Sequence, residues 1–523
     1  MTSQVPEFET LTQHIIGLQP EELNGELRPM LDYEERGAMA RLVRVGDVPP
    51  VLEMLDVIEG SVAGLEDERS REILLDGMVR AVGFGIRARD DAMGIAELTE
   101  RASHLADGIE SSGAKANALT WMAQSIVETE TGQQEVSLMA QGSSYLEQSA
   151  AALFESAASK KSRHFFGFDT IARVAEVSAT NATYLGLAEQ PNSANQPLMI
   201  YEKAFELANS IPATYDRLDR KEMLAVSVTE AILDVAAIDT NTELEEALVH
   251  MMQVQVDEII ATYEDFGGES RPDPIRKAYS LAEFGANLVE TIGQKSSEDV
   301  ASYSQKQLIE QAVKVFEAAN TYTAKVGALV KSPASPVKGA GLMGPFYATK
   351  SADQLIKVDL EAGLRLFEIA YDMAIAANNA LEFELIRSIH GHAFIQPTAE
   401  EAFRIYLFAQ GLEEKHATGT DDVADSSSVH QFIHYLDRSN LDIPEDTNFD
   451  KIDRPFAEKA VAMSARYSTE RSNRGFQRLQ DHVGDPKLKQ VIEDSLEALA
   501  DKRRKIEQRR PASKALALAQ ELL

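Results

Sequence analysis

Apolar residues recur every three or four positions along nearly the whole chain, and this spacing constrains the fold more than any other feature. Leu52, Leu55 and Ile58 show it in one of many such segments. Alanine, the best helix former, is abundant inside them. Runs in which Val, Ile, Thr or aromatic residues alternate strictly with polar ones, which would indicate strands, are nearly absent. The sequence therefore predicts an all-α fold.

The helical segments come in pairs of about 20 residues, joined by short polar turns. One pair covers 200–212 and 213–234, with Pro212 at the break, because the residue before a proline is pushed out of the helical region. Comparable pairs cover 51–65 with 67–83, and 98–109 with 110–128. A single hairpin cannot bury its apolar face, so neighbouring hairpins must stack. The prediction is an α-solenoid of stacked antiparallel helical hairpins.

The repeat length has two interpretations. Ile58, Ile109 and Ile211 end comparable first helices at spacings of 51 and 102 residues, and Phe316 and Phe367 are also 51 apart. These spacings indicate a period of 51 residues. The alternative is a series of hairpins of irregular length.

Four segments share a tighter pattern, in which a small residue is followed by an aromatic residue four positions later and by alanine three positions after that. They are Ala312-Phe316-Ala319, Gly363-Phe367-Ala370, Ala402-Tyr406-Ala409 and, with proline in the first place, Pro197-Tyr201-Ala204. In a hairpin stack the small residues would lie where two helices touch, and the aromatic ring would fill the gap to the next hairpin. The spacing is also common in alanine-rich helices, so both explanations stay open.

The pattern resembles the second helix of the tetratricopeptide repeat, a family of stacked helical hairpins. Residues 400–414 resemble it most and 201–208 are similar, while Ile386 and Ile389 take the apolar places of the first helix. The resemblance covers about a third of the chain. It implies a solenoid whose use is binding extended partners rather than catalysis.

Two segments interrupt the periodicity. Residues 331–346 carry three prolines and three glycines, and 417–428 are polar and acidic, so both are predicted to be loops. The predicted organisation is a repeat array over 1–330, the loop 331–346, further repeats over 347–416, the loop 417–428 and a basic helical segment over 429–523.

Composition limits the chemistry and the compartment. The chain has no cysteine, which excludes disulfides, thiolate metal sites and cysteine nucleophiles and fits a reducing compartment. Residues 1–10 show no basic region followed by an apolar core, which predicts that no signal peptide is present. No stretch approaches 18 uninterrupted apolar residues, so we expect no membrane-spanning helix and a cytoplasmic protein.

The charge is unevenly distributed. The net charge is −33, yet residues 451–523 hold 16 Lys and Arg against 11 Asp and Glu. The other 450 residues hold 35 basic and 73 acidic residues. An acidic surface of this size repels nucleic acid and anionic membranes in general, so an anionic partner would have to meet the C-terminal region.

Two basic stretches in this region are the candidate partner contacts. One has arginines with Tyr467 and Phe476 interleaved, and the other is a dense run. Their members are Arg466, Arg471, Arg474 and Arg478, and then Lys502, Arg503, Arg504, Lys505, Arg509 and Arg510. Such stretches contact phosphates and stacked bases, but they also pair with a protein's own acidic surface or with a second copy. Self-association, RNA or ribosome binding, and simple solvation stay open.

The signals for an enzyme are weaker. Asp421, Asp422 and Asp425 have the spacing of an aspartate-rich Mg²⁺-binding motif, and His430 and His434 are spaced to face one side of a helix. The glycines of 339–344 match a dinucleotide-binding spacing but have no strand before them. We therefore expect no cofactor and no metal. The leading hypothesis is a non-enzymatic adaptor or scaffold, followed by an RNA- or ribosome-associated factor and then by an all-α metal-dependent enzyme.

Overall fold

The structure, a computed structural model, confirms the all-α prediction. The described residues are 90% helical and contain no strand. None of the described helices is long and apolar enough to cross a membrane. The residues described are 43–44, 47–87, 89–160, 167–188, 194–238, 243–265, 274–295, 303–330, 343–376, 381–396, 398–415, 427–438, 443, 447–467, 473–498, 500–501 and 504–505.

The described residues form two compact units. Unit 1 lies within residues 1–272 and 287–312, and unit 2 within residues 273–286 and 313–523. The helices up to residue 272 are α1 (Val48–Ala63), α2 (Glu68–Ile86), α3 (Ala92–Asp107), α4 (Ser112–Val127), α5 (Glu130–Gln134), α6 (Val136–Lys160), α7 (Phe168–Leu187), α8 (Asn195–Asn209), α9 (Thr214–Ile238) and α10 (Glu243–Asp265).

Two long helices, α11 (Pro274–Lys295) and α12 (Tyr303–Val330), contribute residues to both units. The remaining helices are α13 (Met343–Leu355), α14 (Leu360–Ala376), α15 (Leu381–Phe394), α16 (Ala399–Lys415), α17 (Ser427–Arg438), α18 (Phe449–Ile452), α19 (Arg454–Tyr467) and α20 (Asn473–Asp481). Residues 486–498 are also helical.

The three hairpins read from the sequence are α1/α2, α3/α4 and α8/α9, and they share one turn geometry. Each first helix is followed by a buried apolar residue, and the next helix begins three positions later. These apolar residues are Leu65, Ile109 and Ile211, and each donates its backbone N–H to the carbonyl three residues earlier. The four-residue turn uses this 3₁₀-type bond to satisfy carbonyls at the helix end.

The shared turn shows that a period of 51 residues is wrong for this part of the chain. The counterpart of Ile109 and Ile211 in the first hairpin is Leu65, whereas Ile58 lies inside α1. The equivalent positions are therefore 44 and 102 residues apart. Hairpins of irregular length, the alternative interpretation, account for the stack.

Unit 1 has two layers. The second helices of successive hairpins, α2, α4, α7 and α9, pack side by side and form what we call the second-helix layer. The first helices, α1, α3, α6, α8 and α10, pack side by side in the same way and form the first-helix layer. The core lies between the layers and is filled by apolar side chains such as Ile126, Val174 and Ile232.

Unit 2 continues the hairpin arrangement with α13/α14 and α15/α16, after which α17 packs on α16, α19 and α20. One segment with the small-aromatic-alanine pattern lies in the core of unit 2: Ala402, Tyr406 and Ala409 are at most 2% exposed. Gly363 is needed because a Cβ there would collide with the backbone of Ile356. The burial of Ala402, Tyr406 and Ala409 agrees with the packing explanation, while the likeness to tetratricopeptide repeats stays a resemblance.

The predicted segment limits differ from those of the structure at three places. Helix α13 begins at Met343, inside the predicted loop 331–346, and α17 begins at Ser427, inside the predicted loop 417–428. Residues 331–342 and 416–426 lie outside the described residues. The division into compact units falls within α11 and α12 rather than at residue 331.

Candidate functional site

Trp121, the single tryptophan of the chain, lies on α4 between α2 and α7. Gly83 allows the backbone of α2 to approach the indole closely, because a Cβ at that position would lie 2.7 Å from both Cδ1 and Nε1 of the ring. The ring of Phe84 meets the indole edge-on with centroids 4.9 Å apart. The indole is thus held by helices that are far apart in sequence.

Three arginines surround this indole, although the chain as a whole is acidic. The guanidinium carbons of Arg87, Arg173 and Arg80 lie 4.4, 5.0 and 6.0 Å from the centre of the ring. A cation at this distance from an aromatic face is attracted by the electron density of the ring. Arg173 lies on α7, Arg80 lies on α2, and Arg87 directly follows α2.

The partners of the arginines differ. Arg87 pairs with Glu128 at 2.7 Å, and Arg80 pairs with Asp76 at 2.9 Å. Burial raises the pKa of the Asp76 carboxyl in spite of this ion pair. Arg173 instead donates from Nε to the neutral amide oxygen of Gln124 at 3.0 Å. Arg173 is therefore fixed in place without a carboxylate bonded to it directly.

A groove of about 640 Å³ opens beside Arg173, across α4, α7 and α9 and the end of α11. All of these residues belong to unit 1. Most of the lining side chains are exposed or half-buried, so the groove is open to solvent. Its lining residues are Gln124, Val127, Glu128, Asp169, Arg173, Glu176, Val177, Thr180, Asp234, Ala237, Ile238 and Lys295.

The groove carries more negative than positive groups. Four carboxyl groups and two cationic side chains line it. One of the cations, Lys295, donates to Oδ1 of Asp234 at 2.6 Å. The other, Arg173, bonds Gln124 and lies against the indole. The pairing leaves the groove with an excess of carboxyl groups.

The carboxyl group of Glu176, on α7, is the most perturbed acid of the groove. Its pKa is raised to about 7: burial is the main cause and the neighbouring Glu230 and Asp234 also raise the pKa, while Ser227 and the charge of Lys295 lower it. Removing an ionised carboxylate from water is unfavourable, which explains the direction. Glu176 therefore changes its charge near neutral pH.

A buried hydrogen-bond network lies beneath Glu176. Tyr201 of α8 is fully buried, and its hydroxyl lies 2.9 Å from Oγ of Ser227 and donates to the Ser227 carbonyl at 3.1 Å. Burial and the nearby Glu176 raise the pKa of this tyrosine well above its usual value. The network ties the two layers together directly under the groove.

A second, smaller crevice lies in the first-helix layer, between α6 and α8. Its volume is about 480 Å³, and its lining includes Phe154, Met199 and the exposed Ala151. The ammonium of Lys203 lies 5.7 Å from the centre of the Phe154 ring. This crevice is more apolar than the groove. It can therefore serve as a control surface in experiments on the groove.

The basic residues singled out in the sequence are only partly described. Arg474 is exposed on α20, and Arg478 of the same helix donates to the carbonyl of Leu436, near the C-terminal end of α17, at 2.9 Å. A cation there suits the negative end of the helix dipole. Arg466 lies on α19 without a described side chain, and Arg471 lies outside the described residues.

The dense basic run is described at two positions. Arg504 and Lys505 are exposed and helical, and Arg504 pairs with Asp501 at 3.0 Å. Lys502, Arg503, Arg509 and Arg510 lie outside the described residues. Of the described members, Arg478 and Arg504 thus have partners within the chain, and an external partner for the two stretches stays a prediction.

His430 and His434, the candidate metal ligands, contact each other, whereas two further histidines, His390 and His392, have other partners. His390 Nε2 lies 2.9 Å from Oγ of Ser428, and burial lowers its pKa to about 4. His392 Nε2 lies 2.8 Å from Oδ1 of Asp353. The rings of His430 and His434 pack edge to face at 4.7 Å.

In the described part of the chain, no three His, Asp or Glu residues are placed to hold a metal ion. The aspartates at 421, 422 and 425 and the glycines at 339 and 341 lie outside the described residues. Gly344 is buried within α13.

Comparison with known proteins gives no family assignment. No family model matches the chain, and no curated protein matches its sequence. One similar solved structure is described as a circular tandem repeat protein with novel repeat topology and enhanced subunit contact surfaces. It shares 11% sequence identity and a TM-score of 0.45, with 95% of this chain and 99% of that chain covered.

Proposed function

We propose that this protein is a non-enzymatic scaffold, and that it binds an extended segment of a partner protein along the second-helix layer of unit 1. The groove across α4, α7 and α9 is the observation that carries the proposal. Its volume of about 640 Å³ falls in the range of ligand-binding sites. Stacked helical hairpins commonly use such a continuous face of parallel helices for binding.

The lining of the groove supports a peptide rather than a single small molecule. Gln124 and Thr180 offer hydrogen-bonding groups, and Val127, Val177 and Ile238 offer apolar contact. A peptide backbone needs both donors and acceptors along its length, and its side chains need apolar contacts between them. Because the groove crosses three helices, it presents polar and apolar groups one after another along its length.

The pairing of charges supports binding rather than catalysis. Lys295 is held by Asp234, and Glu128 is held by Arg87. Charged groups that are held in ion pairs give the groove a fixed shape and a fixed pattern of charge. We further propose a cytoplasmic location, because a chain without cysteine fits a reducing compartment.

A matched pair of variants tests the proposal. Ala237 is exposed in the groove and Ala151 is exposed in the crevice of the first-helix layer. The full-length protein with Ala237→Trp, the protein with Ala151→Trp and the unchanged protein would each be used for affinity purification from the native cell. We expect the unchanged protein and Ala151→Trp to recover the same partner, and Ala237→Trp to lose it because the indole fills the groove. Equal recovery by both variants would contradict the proposal.

RNA or ribosome binding is the second candidate, favoured by the exposed Arg474, Arg504 and Lys505. Basic side chains of this kind bind phosphates with strong salt dependence. Nuclease treatment during the same purification separates the two candidates. A protein partner stays bound after the treatment, whereas a partner held through RNA is released.

A further inference from the structure

We infer that the groove recognises a basic side chain, a lysine or an arginine of the partner segment, and that the carboxyl group of Glu176 receives it. This inference rests on the proposed function and adds to it the chemical class of the ligand. Four carboxyl groups line the groove against two cations, so a ligand of positive charge is complementary.

Both cations of the groove are already held. The ammonium of Lys295 is 2.6 Å from Oδ1 of Asp234, and the guanidinium of Arg173 bonds Gln124 and lies on the Trp121 ring. Neither is free to turn towards Glu176 without breaking these contacts. A cation from the partner would therefore add to the charge of Lys295, which already acts on Glu176.

Charged and titratable groups face Glu176 from each neighbouring helix. Tyr201 of α8 and Ser227 of α9 both interact with it. The remaining groups are Asp169 and Arg173 on α7, Glu128 after α4, Glu230 and Asp234 on α9, and Lys295 at the end of α11. The acidic groups outnumber the basic ones, so the site favours a cation over an anion.

The size and chemistry of the groove point to an organic cation. Among the described residues, no three acidic or imidazole groups are arranged to hold a metal ion. The volume of about 640 Å³ accepts a long side chain together with part of its backbone. Val177 and Ile238 can contact the methylene stem while the charged end reaches Glu176.

Binding of such a cation should depend on pH around neutrality. The pKa of Glu176 is raised to about 7 in the free protein, so this group is largely protonated below that pH. A cation binds the ionised form more tightly, and a lysine side chain stays protonated throughout this range. Affinity should therefore rise from pH 6 to pH 8.

The probe is a twelve-residue peptide of three Ala-Lys-Ala-Gly repeats, titrated into the full-length protein at about 0.15 M salt to screen long-range attraction. The reporter is the fluorescence of Trp121, the single tryptophan, which contacts the groove residue Arg173. Two peptides of equal length, with norleucine or glutamate in place of lysine, serve as controls. The protein variants are Glu176→Gln and, as a surface control on α8, Glu202→Gln.

We expect saturable binding of the lysine peptide and none of the two control peptides. Glu176→Gln should weaken this binding about tenfold or more and remove its pH dependence, because a hydrogen bond to a charged group is lost. Glu202→Gln, at an exposed position, should bind as the unchanged protein does. Melting curves at pH 8 check that both variants are folded.

Three results would overturn the inference: no binding of the lysine peptide, equal binding of the norleucine peptide, or an unchanged pH profile in Glu176→Gln. These failures are distinguishable from failure of the proposed function. If Ala237→Trp still abolishes recovery of the protein partner, the groove is the binding site and only the basic anchor is wrong.

Discussion

The guanidinium carbon of Arg173, on α7, lies 5.0 Å from the centre of the Trp121 ring on α4. The two residues belong to successive hairpins, and Arg173 also lines the groove. Arg87, which follows α2, lies 4.4 Å from the same ring. The indole thus couples three neighbouring helices of the second-helix layer.

The first prediction concerns the close approach that positions this indole. In Gly83→Ala the new methyl group would lie 2.7 Å from Trp121 and from Oγ of Ser125, so the ring must move. We expect a loss of about 1–3 kcal/mol in the free energy of unfolding and a shifted tryptophan emission. Gly60→Ala is the control, because a Cβ there meets nothing within 4 Å and should stabilise α1 by up to about 1 kcal/mol. Equal effects of the two substitutions would show that the packing at Gly83 is not tight.

The second prediction concerns the repeat pattern in unit 2. Ala409 is fully buried on α16, so Ala409→Phe should overpack the helix contact and cost roughly 1–3 kcal/mol in urea unfolding. Arg404→Phe, at an exposed position of the same helix, should change stability by less than about 0.5 kcal/mol. If the two variants unfold alike, Ala409 does not have the packing role assigned to it.

The third prediction concerns pH. Because the pKa of Glu176 is about 7 in the folded protein against an ordinary 4.5, the folded state binds more protons than the unfolded state between these values. The contribution of Glu176 to stability should therefore fall as pH rises from about 5 to 7.5. Glu176→Gln should abolish this decline, so its stability relative to the unchanged protein should increase by roughly 1–3 kcal/mol over that range. A difference that stays constant with pH would contradict the raised pKa.

The fourth prediction concerns the basic end of the chain. We expect the 502–510 run to pair with acidic surface, in the same chain or in a second copy. Each exposed pair contributes only about 0–1 kcal/mol, so many must act together and respond to salt. Removing residues 502–523 should change the size measured by light scattering at low salt, and high salt should mimic the removal.

An RNA contact would give a different result in that experiment. Size would be unchanged by the truncation, while co-sedimentation with ribosomes or RNA would be lost and would fall steeply with salt. If truncation and salt alter neither the size nor the co-sedimentation, both explanations for the basic run are wrong.

The hairpins could be predicted from the sequence because their signals are local. Pro212 marks the turn between α8 and α9, and the apolar spacing of α1 is visible in Leu52, Leu55 and Ile58. The repeat length was harder to predict. Ile58 and Leu65 are both buried, and only the turn geometry shows which of them corresponds to Ile109.

The groove could not be predicted in this way. The pKa of Glu176 is influenced by Glu230, Asp234 and Lys295, which lie 54 to 119 residues further along the chain. Their meeting depends on how α7, α9 and α11 are aligned, which no local pattern shows. A continuous basic run such as 502–510 can be read directly from the sequence. A cluster of charges contributed by separate helices cannot, because its members are far apart along the chain. The uniqueness of Trp121 was a signal that could have directed attention to this face.

The most direct test of the scaffold proposal is site-specific photo-cross-linking in the native cell. A photoreactive phenylalanine would replace Ala237 in the groove or, as a control, Glu202 on α8 of the opposite layer; both positions are exposed. The account predicts one discrete, nuclease-resistant cross-linked protein from position 237 and none from position 202. No cross-link at 237, or the same product from both positions, would contradict it.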